Sequence, residues 1–554
     1  MEFKYITRIG WTALVVAWFF DFLFWSKIPG ISFFIFVIIC LAAGGLLTWW
    51  EGLRPAKTSL VLVIPALYFA AMTFTHQEPF TRFVNFVLAL GCLTLMVLTW
   101  RGGKWLNYSL SDYVVGAFKL LISAVSRGAR IFYRPAQKIE ISQSAIDQQP
   151  DPQASSASQD VLKPQIEKNT LKNPARSQVY AVIRGLLLAI PVVALLAALL
   201  SQADPIFSKE LSSFLGTIFS DKLGEYIFRA CYIVILAYVL IGIYLHALGQ
   251  SKDEKLVGVE KPWLQPFLGW TEAVIVLGAV DVLFAFFVAV QFRYFFGGQI
   301  NITVNGYTYA DYARRGFGEM VAVAVISLML FLGLSGITRR TQPLQRRVFS
   351  GLGVGLVVLV AVILLSAFQR LLLYETAYGF SRIRAYTHVF MIWVGLLLLA
   401  FVMLELLNRT RAFGLALALL VIGFGVSLNI VNVDGWIVTQ NVARARQGDS
   451  FDQNYLLSLS SDSVPALFDQ FHSANLNPSL KDGLGEVLAC RLVWTPDNNP
   501  EAWQSFNLST AQSAAFYQKY SGELKAYTMI PTNDGWSVKA AGAVIPCSTS
   551  NGTN

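Results

Sequence analysis

The sequence predicts an all-α polytopic membrane protein of about eleven transmembrane helices, with a small mixed α/β domain at its C-terminal end. Three observations carry that prediction. Hydrophobic residues fill 55% of the 554 positions and charged residues only 14%, whereas soluble domains carry about 25% charged residues. Apolar runs close to the ~20 residues that a spanning helix needs recur along the chain. From Asn432 onward the composition turns polar, rich in Asn, Ser, Asp and Gln, over a length that can hold a small domain. A soluble enzyme and a disordered chain are both excluded by this composition.

Eleven runs qualify as spans: residues 9–26, 31–50, 58–75, 83–100, 178–201, 226–248, 267–290, 318–337, 349–369, 385–407 and 412–431. Lipid offers no partner to a backbone N–H or C=O, so such runs must be helical. The first follows no signal-peptide pattern. Asp21 interrupts it and Lys27-Ile28-Pro29-Gly30 turns directly into the second run, so it reads as a retained helix.

Lys and Arg set the expected orientation. Arg54 and Lys57 follow the second span, and Arg101, Lys104, Arg127, Arg130, Arg134 and Lys138 the fourth. Lys252, Lys255 and Lys261 follow the sixth, Arg339, Arg340, Arg346 and Arg347 the eighth, and Arg409 and Arg411 the tenth. All fall on one side if the N-terminus is cytoplasmic, as the positive-inside rule expects. The C-terminal tail is then extracytoplasmic. The net charge of +9 belongs to these loops and not to nucleic-acid binding.

Five segments follow: a four-helix membrane part (1–107), an amphipathic membrane-surface helix (108–134), a cytoplasmic linker too polar to order itself (135–175), seven further spans (176–431) and the extracytoplasmic domain (432–554). The surface helix has its apolar stripe in 108–128, followed by basic residues; a short soluble helix is the alternative. The linker is rich in Gln, Ser, Asp and Pro. Within the tail, Asp434–Arg446 and Tyr455–Phe471 read as helical, and 486–495 and 525–546 as strand-like. An oxidising space makes Cys490 and Cys547 a candidate disulfide, free thiols being the alternative.

Polar residues concentrate where spans meet the expected outer face. Loop seven–eight holds Arg293, Tyr309, Asp311, Arg314 and Arg315. Loop nine–ten holds Tyr374, Glu375, Tyr378, Arg382 and Arg384. The last span ends in Asn432-Val-Asp434. Arginine forks grip phosphate or carboxylate, and the acids could pair with them or act as acid and base. Two readings stay open: an ion-paired lock between loops, or a ligand or catalytic site. Asp21 and Asp281 lie inside spans, where an ionisable group is costly and a functional candidate. His388 reads as an interfacial residue. Four histidines and five cysteines without paired spacing give no metal site and no redox centre, and no cofactor is expected. Walker, GxSxG and HExxH motifs are lacking.

Four stretches carry a family resemblance. They are Asp21-Phe-Leu-Phe24 with Pro29-Gly30-Ile-Ser32; Gln291-Phe-Arg-Tyr-Phe-Phe-Gly-Gly298 with Tyr309 to Phe317; Tyr378-Gly-Phe-Ser-Arg-Ile-Arg-Ala-Tyr386; and Asn432-Val-Asp434 continuing through Asn441, Asp452, Tyr455-Leu-Leu-Ser458, Asp462 and Pro465-Ala-Leu467. In these the chain resembles the bacterial multi-pass membrane proteins that share a domain of unknown function, the 4153/4173 group. The resemblance implies a bacterial cytoplasmic-membrane protein and no established activity, cofactor or catalytic residue. Three functions remain in view. One is a non-enzymatic envelope protein in contact with the lipid bilayer, binding a lipid headgroup, an anionic lipid or cell-wall precursor, or a partner protein. The others are a transporter or flippase of an anionic amphipathic substrate, and a membrane-embedded transferase or hydrolase with Glu375 or Asp434 as base.

Overall fold

The computed structural model describes residues 6–132, 200–252 apart from 219–220, 266–295, 317–494 apart from 408, and 502–547 apart from 533–534 and 541–542, with isolated positions at 189, 193, 196, 197 and 256. Among the described residues, ten helices are long and apolar enough to cross a membrane. They coincide with ten of the eleven expected spans. The other, 178–201, lies outside the described residues except at scattered positions, and the 135–175 linker lies wholly outside them.

The chain divides into two units, Met1–Ile131 with Ile235–Asn554, and Phe132–Val234. The first unit opens with four spans: α1 (Ile6–Phe24), α2 (Ile31–Trp50), α3 (Lys57–Thr75) and α4 (Pro79–Thr99). Each packs on its successor, around Phe33, Val37, Phe69, Ala70 and Ala89. The amphipathic stretch forms α5 (Leu110–Phe132). Leu120, Ser123 and Ala124 are buried, while Val114, Phe118, Leu121, Ile122 and Val125 form an exposed apolar stripe, the division that period-3.6 patterning gives.

In the second unit, α6 (Pro205–Ile218) begins where Asp204 Oδ1 accepts the Ile206 N–H at 2.8 Å. The next helix, α7 (Asp221–Gly249), starts there with an Arg229–Glu225 pair at 3.4 Å. Its second half belongs to the first unit. There Gly242 lies against the backbone of Ala124: a Cβ at Gly242 would collide with the Ala124 oxygen.

The remaining spans are α8 (Trp270–Phe295), α9 (Phe317–Ile337), α10 (Pro343–Tyr378), α11 (Arg382–Leu406) and α12 (Phe413–Val431). Both α8 and α9 pack on α10, α10 on α11, and α11 on α12. Phe331, Phe349, Leu356 and Phe401 fill the middle of this group. The two groups of spans join where α12 meets α4. There Asn85 and Asn429 exchange amide hydrogen bonds, 2.8 Å each way. One helix turn away, Gly425 admits Leu88 and Phe69; a Cβ would collide with Leu88 Cδ1.

The C-terminal domain contains α13 (Val433–Arg446), α14 (Gln453–Leu457), α15 (Val464–Phe471), α16 (Pro478–Trp494) and α17 (Leu508–Tyr520). An antiparallel sheet follows, in the order β1 (Thr528–Thr532), β2 (Gly535–Ala540), β3 (Ala543–Pro546). Leu467, Phe468, Leu484, Leu488 and Val538 are fully buried between helices and sheet. Strands occur within 525–546, as the alternation indicated. The strand-like reading of 486–495 is overturned, since those residues belong mainly to α16. The reason is visible in what is buried: Leu484, Val487, Leu488 and Arg491 follow the i, i+3, i+4, i+7 spacing of a helix face. Tyr455–Phe471 is helical but broken, by a 3-10 turn at Ser461–Ser463. A disulfide joins Cys490 in α16 to Cys547 just past β3, with Cα atoms 5.3 Å apart.

The domain sits over one end of the first unit's spans. Ile31 donates its N–H to the Phe506 oxygen at 2.9 Å, and Asn507 Nδ2 donates to the His76 oxygen at 3.1 Å. The basic loops gather at the other end. Arg101 Nη1 bonds the Leu248 oxygen at 2.8 Å, Arg339 Nε the Pro266 oxygen at 2.6 Å, and Arg411 Nε the Asn107 oxygen at 3.1 Å.

Candidate functional site

Arg382 opens α11 and Asp434 lies in the first turn of α13. The guanidinium grips the carboxylate as a fork, Nε to Oδ1 at 2.7 Å and Nη2 to Oδ2 at 2.6 Å. Asp434 is 0% exposed. Its Oδ2 also accepts the Ser460 N–H at 2.6 Å. The Arg382 backbone N–H donates to Tyr455 Oη at 2.7 Å. A bidentate, charge-assisted pair is the strongest form of polar contact available to these side chains.

A third charge comes from the N-terminal half. Glu78 Oε1 stands 3.9 Å from Arg382 Nε. Glu78 precedes Pro79 and caps α4, accepting the Phe80 and Thr81 N–H groups at 3.1 and 2.6 Å. This is the N-cap followed by Pro at the first helical position that helix starts favour. Asp462 reaches the same loop. Its carboxylate accepts the N–H groups of Gln77 and Glu78 at 2.9–3.0 Å and lies 3.7 Å from His76 Nδ1. Burial raises the Asp462 pKa, yet these hydrogen bonds and the nearby His76 outweigh burial and hold it below the usual carboxylate value. Arg491 in α16 completes the lattice by donating to the Leu456, Leu459 and Ser460 oxygens at 3.2, 2.9 and 2.7 Å.

A second cluster closes the α10–α11 corner. Gly379 ends α10 with φ 79°, where a side chain is strained; a Cβ there would also stand 2.6 Å from Arg444 Nη1. Arg384 donates to the Gly379 oxygen and lies over the Tyr374 ring, 4.1 Å from its centroid. Tyr374 and Tyr378 pack ring against ring at 4.9 Å. Asn441 exchanges both hydrogen bonds with the Phe380 backbone at 2.8 and 2.9 Å. Asn432 adopts φ 43°. Its Oδ1 accepts the Gly435 N–H and its Nδ2 donates to the Asp462 oxygen, so one residue breaks α12 and starts α13.

The candidate residues therefore part company. Arg382, Asn432 and Asp434 meet in the lattice, and Tyr374, Tyr378 and Arg384 at the adjoining corner. Glu375 faces His388 instead, Oε2 to Nε2 at 3.5 Å. Arg293 lies in α8, its side chain outside the described residues, as are Tyr309, Asp311, Arg314 and Arg315. Asp21 is buried within α1. Asp281 lies mid-way along α8, where a Cβ at Gly355 would stand 3.7 Å from its Oδ2.

Glu78, His76, Arg491 and the structural part of Asp462 escaped sequence reasoning. Only Glu78 carried a local signal, as an acid directly before a helix-opening proline. Chemically, the lattice engages its own acceptors: Asp434 takes three donors on two oxygens. Among the described residues, no group of three His, Cys, Asp or Glu side chains could hold a metal ion.

A family model described as Domain of unknown function (DUF4153) matches residues 63–470, a range that contains every member of the Arg382 lattice except Arg491. No curated protein and no solved structure matches the chain.

Proposed function

The chain belongs to the DUF4153 family, and from that premise we propose a non-enzymatic protein of the bacterial cytoplasmic membrane, whose C-terminal domain lies outside the membrane and binds an envelope component. A lipid headgroup, a cell-wall precursor or a partner protein would each suit that role. The observation that carries the proposal is the Arg382–Asp434 fork, shared by span and domain, with the Asp434 carboxylate fully buried and Arg382 partly so. A domain anchored so firmly to the spans suits a fixed platform. Full burial of Asp434 and engagement of both its oxygens by Arg382 and Ser460 weigh against its use as a base, which must be within reach of a substrate proton. The Cys490–Cys547 bridge supports an oxidising compartment for the domain. The basic loops at the opposite end support a cytoplasmic location for that end.

The test is crosslinking from a photoreactive amino acid at the exposed Trp536, illuminated in intact cells. A discrete adduct, lost when Asp434→Ala uncouples the domain, fits a binding platform. No adduct, from a protein that still rescues a deletion strain, sinks the proposal.

A further inference from the structure

Glu375 is 1% exposed, and its Oε1 has no hydrogen-bond partner. Neither ring nitrogen of His388 has one either. Unmet polar atoms in an apolar setting are costly and call for an explanation. Both side chains line one cavity of about 340 Å³, at the small end of the ~300–1,000 Å³ typical of ligand pockets. Phe368 and Leu372 of α10, Val389 and Ile392 of α11, Val431 of α12 and Trp436 of α13 form much of the wall. Leu372, Ile392 and Val431 are exposed on helices able to cross a membrane. The cavity therefore opens sideways, where a spanning bundle meets hydrocarbon. Its titratable pair lies near the end of α10, with the Gln440 amide of α13 also in the lining, while Phe368 and Ile392 lie deeper along the helices.

This arrangement has the polarity of a lipid lying in a membrane leaflet: polar near the surface, apolar below. The pair also limits the head group. A carboxyl group accepts, and donates too when protonated, and a neutral imidazole both donates and accepts. A hydroxyl, with one donor hydrogen and two lone pairs, can satisfy both. An anionic head would lack a cation to pair with, since the nearby arginines are engaged elsewhere: Arg382 on Asp434, Arg384 on the Gly379 oxygen and the Tyr374 ring, and Arg444 on the Thr376 oxygen and Asp449. A quaternary ammonium offers nothing for the imidazole N–H to donate to.

We propose that this cavity binds a single-chain lipid alcohol, its hydroxyl bridging Glu375 and His388 and its hydrocarbon chain lying along α10 and α11. The site is separate from the domain surface considered above, and either proposal can fail alone.

The experiment uses the full chain in phospholipid nanodiscs with hexadecanol carrying a photoreactive diazirine in its tail. Labelled peptides are mapped by mass spectrometry. Labelling is expected within α10 and α11. Unlabelled hexadecanol should displace the probe, with hexadecane and hexadecyl phosphate weaker by about tenfold or more, the scale of one hydrogen bond to a charged group. Filling the cavity by Ile392→Trp should abolish labelling, with unchanged gel filtration and unchanged crosslinking from position 536. Equal displacement by hexadecane, stronger displacement by hexadecyl phosphate or hexadecylamine, or labelling indifferent to Ile392→Trp would each overturn the proposal. The competitor series needs no variant, so a misfolded mutant leaves the test intact.

Discussion

At the scale of single residues, the Arg382 fork has two properties that mutation separates. Truncation by Arg382→Ala leaves Asp434 buried with its charge unpaired, a loss of about 3–5 kcal/mol when a buried pair is broken from one side. Arg382→Lys keeps the charge but not the planar fork, so it should fall between Ala and the parent. Thermal unfolding in detergent, followed by protease sensitivity of the C-terminal domain, checks the order. Asp462 adds a pH dependence. Its folded pKa is depressed, so its contribution is fully present above the ordinary carboxylate value of about 4 and is lost as the pH falls through the still lower folded value. The domain should loosen on acidification below that range, and Asp462→Asn should flatten that limb of the stability curve while lowering stability at neutral pH. A parent and variant with parallel acid limbs would show that another group carries the transition.

Between elements, polar contacts inside the bundle do what apolar packing cannot do in lipid, where hydrocarbon competes equally with side chains. Asn85 on α4 and Asn429 on α12 form a closed pair. Asn85→Leu and Asn429→Leu should each destabilise, and the double variant should cost less than the sum, with a coupling of about 0.6 kcal/mol and at most ~2, read from a double-mutant cycle of detergent unfolding. The Cys490–Cys547 bridge ties α16 to the sheet across 57 positions. Reduction should lower the domain's stability by about 2–4 kcal/mol, seen as a lower midpoint for domain proteolysis with dithiothreitol. The spans themselves were legible because lipid enforces long apolar runs, and no other force produces them so uniformly. Residues 486–495 were misread because period two and period 3.6 agree over a few positions, and only burial of Leu484 and Arg491 decides between them. The lattice was half legible. Arg382 and Asp434 stood out as charges at span ends, but their pairing depends on which helices are neighbours. Asp462 and Gln77 are 385 positions apart, and no local pattern links them.

Over the whole molecule, the loops at residues 29–31, 76–78 and 379–381 all meet the C-terminal domain at one end, and the arginine-rich loops meet at the other. The proposed orientation makes a direct prediction. With Cys231 replaced by Ser, a cysteine at Lys525 should react with a membrane-impermeant maleimide on spheroplasts, and one at Arg347 only after permeabilisation; the reverse pattern would invert the assignment. The same layout bears on how the chain is made. Ribosomes release the first loops long before α15 and α17 exist, yet Gln77 and Glu78 find their acceptor in Asp462, and Gly30 lies so close to Phe506 that a Cβ would stand 2.5 Å from its oxygen. A late segment thus covers the end of much earlier spans. A chain stalled before the Ser461–Ser463 turn leaves those amides without that acceptor and this end of the early spans uncovered.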